Sequence, residues 1–180
     1  MLVRKPVSAI ALCAAFMFAG TAYAQKNVRV ELLPVQDPAN ADYAAALKVI
    51  GPLYKEKLPD MWDDANKKWL APPLLGIFKT DLNKDKFPEL IASPIELVPE
   101  QEYMLCPVNV GCPFFILEPT GGGYRVAGVI AANTIGLDDS STPSGYRRIR
   151  AYTKNLDVDP NYYELYEYSP GKKTYVMLKP

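Results

Sequence analysis

The chain has 180 residues and carries 20 basic against 20 acidic side chains. This balance creates no strong electrostatic field, which argues against nucleic acid or an anionic membrane as the main partner. Hydrophobic residues make up 49% of the chain, a content typical of a packed domain and not of a disordered one.

The first 24 residues have the three parts of a secretory signal peptide. Arg4 and Lys5 are basic, residues 7–20 are almost wholly apolar, and Ala22-Tyr23-Ala24 is an A-x-A cleavage site. The apolar run is too short for a membrane helix, and no later window is long enough to span a bilayer. We therefore expect cleavage near Ala24, a periplasmic or secreted protein, and one domain over 25–180 without a membrane span.

The helical part is predicted over about 37–70, after a short strand in "NVRVELL". One apolar stripe at helical spacing contains Tyr43, Leu47, Ile50 and Tyr54. Asp37 or Asn40 is placed to cap this helix, and Gly51-Pro52 is expected to break or kink it. A second helix is predicted in "DMWDDANKKWL", where the acids come early and the lysines late, as the helix dipole favours.

From residue 74 the apolar period changes to two, which is typical of strands. Turn clusters separate the candidate strands 74–80, 88–98, 112–118, 123–135, 145–154, 162–168 and 174–179. The connections are too short for crossover helices, so neighbouring strands should pair antiparallel. The predicted fold class is α+β, with an N-terminal helical pair followed by a curled antiparallel β-meander of six or seven strands over about 74–180.

The segment "DLNKDKFPELIAS" (81–93) has oxygen-bearing groups in alternate positions. A calcium loop would use the side chains or carbonyls of Asp81, Asn83, Asp85, Phe87 and Glu89. Lys86 stands where such a loop has glycine, and Ala92 stands where it has its bidentate acid. The alternative is a series of Asx-turns that ends one strand and starts the next, and this alternative needs no metal.

The same segment is similar to the DxNxDGxPEL-strand element of FG-GAP/VCBS-type repeats. It also resembles the single copy of that element in small exported bacterial envelope proteins of unassigned function. Those proteins often continue, as this chain does, with a Cys-…-Gly-Cys-Pro strand, a Gly-Gly-Tyr-Arg hairpin and a Tyr-rich strand pair. The resemblance implies an envelope location and calcium binding through the Asp/Asn loop, whereas the single copy does not make a propeller.

After removal of the leader, Cys106 and Cys112 in "CPVNVGC" are the remaining cysteines. In an exported protein, two cysteines at this spacing are expected to form a structural disulfide. The rival interpretations are a redox pair, which usually has CxxC spacing, and a metal site, which would lack its other soft ligands.

Two Tyr/Arg-rich segments follow, "GYRRIRAY" and "YYELYEY". Alternation along each strand assigns one face to a candidate partner-binding set: Tyr146, Arg148, Arg150, Tyr152, Glu164, Tyr166 and Tyr168. Tyrosine and arginine dominate the energetically important centres of protein interfaces. The structural alternative is a solvated sheet face held by cross-strand Arg–Glu and Arg–Tyr pairs.

The chain contains no histidine, which removes histidine-based triads and dyads, histidine-bound zinc and the commonest general base. We therefore predict a non-enzymatic protein without a required cofactor that binds another protein of the envelope. The concrete hypothesis is an inhibitor or immunity-type protein that blocks an envelope-acting hydrolase or toxin.

Two alternatives remain for the function. One is a calcium-dependent adhesion or structural module. The other is a carboxylate-based hydrolase of cell-wall or glycan substrates, for which the available acids are Asp63, Asp64, Glu96, Glu100 and Glu102.

Overall fold

The computed structural model describes residues 27–95, 97, 99–107, 110–139, 142–153 and 162–178. The predicted signal peptide, residues 1–24, lies outside the described residues. Within those residues, no helix is long and apolar enough to cross a membrane.

The elements of the described residues, in chain order, are β1 (Asn27–Arg29), β2 (Leu33–Val35), α1 (Ala41–Lys57), a 3-10 turn (Pro59–Met61), β3 (Trp62–Asp63), β4 (Lys68–Trp69), β5 (Leu75–Thr80), β6 (Glu89–Pro94), α2 (Pro99–Leu105), β7 (Cys112–Thr120), β8 (Gly123–Ala132), β9 (Thr134–Asp138), β10 (Arg148–Tyr152), β11 (Glu164–Ser169) and β12 (Thr174–Met177).

The strands form two five-stranded sheets and one two-stranded hairpin. We call β2-β5-β6-β7-β8 the central sheet and β1-β9-β10-β11-β12 the outer sheet. Neighbouring strands in both sheets pair antiparallel. The predicted helical pair with a single meander is wrong, because the described residues are mostly β and contain one long helix. The other predicted strands from residue 74 onward occur close to their expected positions, but the strand predicted over 123–135 is wrong. It divides into β8 of the central sheet and β9 of the outer sheet, so that the strands form two layers.

Helix α1 forms as its apolar stripe predicts. The Asn40 side chain accepts a hydrogen bond from the Tyr43 N–H at 3.0 Å, which caps one of the free donors of the first turn. The helix continues through Pro52 to Lys57, so the expected break does not occur. Pro52 is exposed, while Ile50 and Tyr54 on either side of it are buried, and this packing offsets the cost of the proline.

The second predicted helix is wrong; the segment is the β3–β4 hairpin. The Asp63 carboxylate accepts hydrogen bonds from the N–H groups of Ala65 and Asn66 at 3.0 and 3.1 Å, and Lys67 has a positive φ of 52°. These local bonds offer the backbone a turn in place of a helix. Trp62 and Trp69 then meet across the hairpin with ring centroids 5.0 Å apart.

The apolar core lies on both faces of the central sheet. One cluster packs α1 residues such as Ile50 against Leu90 and Ala92 of β6. The other cluster packs Ile91 of β6 against Ile149 and further inward residues of the outer sheet. Strand β6 is consequently buried along its whole length. The order of layers is α1, central sheet, outer sheet, which leaves one face of the outer sheet toward solvent.

Candidate functional site

The pairing register divides the predicted Tyr/Arg set between two faces of the outer sheet. Ile149 pairs with Tyr166 and Ala151 pairs with Glu164, and both Ile149 and Ala151 are fully buried. Successive side chains alternate between faces, so Glu164 and Tyr166 lie on the inward face of the sheet. Arg148, Arg150 and Tyr152 lie on the solvent-facing side. The role of the set in partner binding stays a prediction.

The inward tyrosines serve packing. Tyr146 stacks on Tyr168 with ring centroids 3.8 Å apart, and Tyr168 is only 7% exposed. The Tyr146 hydroxyl donates to Glu118 at 2.7 Å, and Arg125 donates to the Tyr168 hydroxyl at 2.9 Å. The Tyr166 hydroxyl donates to Glu164 at 2.9 Å. These contacts satisfy the polar ends of one buried and two half-buried rings and so stabilise the fold.

The solvent-facing side of the outer sheet carries a compact group of arginine and tyrosine side chains. Gly136 on β9 pairs with Arg29 on β1 and with Arg150 on β10. A glycine therefore stands between two arginines in one row across the sheet. We call this group the arginine–tyrosine surface; it consists of Arg29, Gly136, Arg148, Arg150, Tyr152 and Tyr163.

Gly136 creates a depression in this surface. The depression has a volume of about 300 Å³ and is lined by Arg29, Thr134, Gly136 and Tyr152. A Cβ atom at position 136 would lie 3.5 Å from the Tyr152 ring, so the ring lies directly beside the space that a side chain would fill. The absence of a side chain at this position keeps the depression open to a ligand group.

Two of the three arginines are held in place by neighbouring groups. The Arg150 guanidinium contacts Asp138 at 2.8 Å and lies 4.6 Å from the centroid of the Tyr163 ring. Arg148 Nε donates to Glu167 at 2.8 Å. These are the cross-strand pairs that the structural alternative predicted. Arg29 is exposed, and among the described residues it has no hydrogen-bond or ion-pair partner for its side chain.

Sequence reasoning missed Arg29, Gly136 and Tyr163 as members of this surface. Arg29 stands between Val28 and Val30 in the sequence, and this alternation is typical of an outward side chain. It does not predict which residues of other strands lie beside Arg29. Its neighbours depend on the β1–β9 pairing, which joins residues more than 100 positions apart and has no local signal.

The oxygen-rich loop forms the predicted Asx-turns. The Asp81 carboxylate accepts hydrogen bonds from the N–H groups of Asp85 and Lys86 at 3.2 and 3.0 Å, and Asp85 accepts from the Phe87 N–H at 2.7 Å. Lys86 has a positive φ of 73°, the conformation in which a calcium loop has its glycine. Within the described ranges, no three acidic, cysteine or histidine side chains converge as a metal site. Calcium binding stays a prediction.

Glu89 lies at the end of this loop and is fully buried. Its Oε2 accepts a hydrogen bond from the Leu82 N–H at 2.7 Å, while Oε1 has no hydrogen-bond partner among the described residues. Burial raises the pKa of the Glu89 carboxyl, and the nearby Asp85 and Asp81 raise it further. The residue therefore couples the loop to the core through an ionisable group that burial destabilises in its charged form.

The predicted disulfide is confirmed between Cys106 and Cys112. It joins the residue after α2 to the first residue of β7, which ties the short helix to an interior strand of the central sheet.

Of the acids considered for a hydrolase, Asp63 and Asp64 lie in the β3–β4 hairpin. Hydrogen bonds from Asn66 lower the pKa of Asp63, and bonds from Lys67 and Trp62 lower the pKa of Asp64. A general acid needs a raised pKa. Glu102 is exposed on α2, and the side chains of Glu96 and Glu100 lie outside the described atoms.

Comparison of the chain with protein-family models, with curated proteins and with solved structures gave no match. The resemblance to the FG-GAP/VCBS element consequently stays a prediction. The geometry of the arginine–tyrosine surface is the remaining basis for a function.

Proposed function

We propose that this chain is a non-enzymatic exported protein that binds a protein partner of the envelope through the arginine–tyrosine surface. The observation that carries the proposal is the Arg29–Gly136–Arg150 row, with Tyr152 beside the depression at its centre. The mode of action that we favour is that of an inhibitor or immunity-type protein, which covers a site on an envelope-acting hydrolase or toxin.

The chemistry of the surface supports a protein interface. Arginine and tyrosine are enriched among the residues that dominate binding energy. Here Arg150 is fixed between Asp138 and Tyr163, and the Tyr163 and Tyr152 rings lie 5.8 Å apart. Side chains that are already ordered lose less conformational entropy on binding. The surface is therefore prepared for a partner before contact.

Arg29 supplies the group that is not satisfied within the described chain. An exposed guanidinium can bind a carboxylate with two parallel hydrogen bonds. The depression next to it is open to an apolar side chain that would contact Tyr152. We expect a partner segment with an acidic residue beside an apolar one.

A site-specific crosslinking experiment tests the proposal. A photoreactive phenylalanine analogue replaces Tyr152, and the matched control carries it at Val126, which is 40% exposed on β8. After irradiation in an envelope extract of the source cells, we expect a discrete crosslinked protein from position 152 and none from position 126. The same bands from both positions, or none from either, would refute the surface assignment.

Charge reversal provides the second arm. Arg29→Glu should abolish the crosslink from position 152, because it converts attraction to repulsion. Lys172→Glu, in the exposed turn between β11 and β12, should leave it unchanged. Equal crosslinking in both variants would show that Arg29 does not contact the partner.

A further inference from the structure

A second cleft lies on the opposite side of the central sheet, between α1 and the β3–β4 hairpin. Its volume is about 400 Å³, and its walls include Leu47, Lys48, Pro52, Lys55, Trp62 and Trp69. The cleft combines apolar and aromatic walls with a small number of cationic groups, which is the usual composition of a ligand site. It is separate from the arginine–tyrosine surface and does not depend on the function proposed above.

The aromatic wall has a fixed geometry. Trp62 and Trp69 meet edge to face, with centroids 5.0 Å apart, and Tyr54 of α1 meets Trp69 in the same way at 6.3 Å. A Cβ atom on Gly51 would lie 3.3 Å from the Trp69 ring, so glycine lets the ring approach the helix. The hairpin is thereby held against α1, and the cleft is preformed.

Two lysines of α1 provide the charge. Lys55 Nζ lies 3.3 Å from the centroid of the Trp62 ring, so the ring face positions the ammonium group at the cleft. Lys48 is two helical turns earlier and lines the same cleft. Neither lysine has an ion-pair partner among the described residues, whereas the nearby Lys57 pairs with Glu56 at 2.8 Å.

Asp64 of the hairpin interacts electrostatically with Lys55, but its direct contacts are with other groups. Asp64 accepts hydrogen bonds from Trp62 Nε1 and Lys67 Nζ, each at 3.1 Å. Its carboxylate is thus used to orient the tryptophan and to pair with a lysine of the hairpin. The ammonium groups of Lys48 and Lys55 therefore have no direct ion pair among the described residues.

We propose that this cleft binds a short acidic peptide segment in which a carboxylate neighbours an apolar side chain. The carboxylate would bind Lys48 or Lys55, and the apolar side chain would contact Leu47, Pro52 and the tryptophan rings. Two ammonium groups on a mainly apolar wall suit a carboxylate more than a polyanion, because a polyanion needs several cations to compensate its charge. Trp62 acts as a positioning residue for Lys55.

The tryptophans make the cleft directly observable, because the chain contains two tryptophans and both line this cleft. The probe is N-acetyl-Leu-Glu-Leu-amide, titrated into the full mature chain while tryptophan fluorescence is recorded. The matched control probe is N-acetyl-Leu-Gln-Leu-amide, which has the same shape without the charge. We expect a saturable fluorescence change with the glutamate peptide. The affinity for the glutamine peptide should be several-fold lower.

Lysine variants identify the contact. Lys55→Gln and Lys48→Gln should each lower the affinity for the glutamate peptide by about two- to fivefold, the range for an exposed ion pair. Lys172→Gln, which removes an equivalent charge elsewhere, should bind as the wild type does.

Three results would overturn the proposal. These are equal affinity for the two peptides, unchanged affinity in both lysine variants, and saturable binding of a uronic-acid oligosaccharide where the glutamate peptide gives no response. The last result would assign the cleft to an acidic glycan instead.

Discussion

Asn83 and Tyr146 lie 63 residues apart in the chain, and the Asn83 side-chain amide donates a 3.3 Å hydrogen bond to the Tyr146 hydroxyl. The oxygen-rich loop and the start of the Tyr/Arg segment are therefore one structural unit. The Arg147 N–H reinforces it by donating to the Leu82 carbonyl at 2.8 Å. Leu82 itself is fully buried in the core between the two sheets. The loop is thus held by the buried Leu82 side chain and by its hydrogen bonds to Tyr146 and Arg147.

Tyr146→Phe should lower the free energy of unfolding by about 1–3 kcal/mol, because Glu118 and Asn83 lose a hydrogen-bond partner and the Glu118 carboxylate is a charged acceptor. Chemical denaturation measures the change. Tyr162→Phe is the matched control, since Tyr162 is 54% exposed, and its effect should be near zero. Equal effects of the two substitutions would mean that the Tyr146 hydroxyl stabilises nothing.

Glu89→Gln should change how stability depends on pH. The pKa of Glu89 is raised in the folded state, so the folded state binds the proton more tightly than the unfolded state does. Its stabilising contribution is present at low pH and is lost as the pH rises through the folded pKa. Glutamine does not titrate, and the free energy of unfolding of the variant should therefore rise relative to the wild type between pH 4.5 and neutrality.

The measurement is urea denaturation at several pH values, with Glu102→Gln as the control for removal of one negative charge from an exposed position. The difference in the free energy of unfolding between Glu89→Gln and the wild type should change with pH. If it stays constant over the pH range, the pKa of Glu89 is not raised in the folded state.

Lys86→Gly should stabilise the protein by about 0.5–1 kcal/mol. Lys86 has a φ of 73°, a conformation that costs an L-residue roughly 1–2 kcal/mol, and this gain exceeds the extra unfolded-state entropy of glycine. Lys172→Gly, at a turn position without positive φ, should destabilise. Thermal denaturation distinguishes the two signs, and a loss of stability in both variants would be evidence against strain at position 86.

Millimolar calcium should leave the melting temperature of the wild type unchanged relative to chelator. Both oxygens of Asp81 already accept backbone N–H bonds, and the acids of the described chain do not converge on one point. An increase in melting temperature that Asp81→Asn removes would instead favour the calcium-dependent adhesion or structural module.

Replacing Cys106 and Cys112 together by serine should lower the free energy of unfolding by about 2 kcal/mol, the loop-closure value for so short a ring. Reduction of the wild type should have the same effect, and the double variant should be insensitive to reductant. Unequal losses would show that the serine side chains themselves perturb the packing at α2 and β7.

Local sequence patterns predicted the helices and strands well in segments where no second local signal competed with the first. The helical stripe of Tyr43, Ile50 and Tyr54 is buried as expected, and the strands after residue 74 follow the period of two. The prediction failed at 60–70, where helix propensity competed with Asx-turn bonds from Asp63 and with contact between Trp62 and Trp69. Trp62 and Trp69 are paired residues of two strands, and a search for helical periodicity does not detect such a pairing.

The candidate site was only partly predictable. Alternation along one strand assigned Tyr146, Arg148, Arg150 and Tyr152 to one face. The last three lie on the solvent-facing side of β10, whereas Tyr146 precedes the strand and packs against the core between the sheets. Alternation could not determine whether Tyr166 on the next strand shares that face, because a shift of one residue in the register reverses the face of every side chain. The observed Ile149–Tyr166 pairing decides this, and burial of the inward row in the core fixes that register.

The sequence by itself determined the position of most strands, the α1 stripe, the disulfide pair, the turn chemistry of the Asp81 loop and the absence of histidine chemistry. These features depend on residues near one another in the chain or on composition alone. The tertiary structure decided that the strands divide into two layers, that Arg29 meets Gly136, and that the hairpin tryptophans close a cleft with Lys48 and Lys55. Such contacts join distant segments, and the burial of apolar surface over the whole domain selects them.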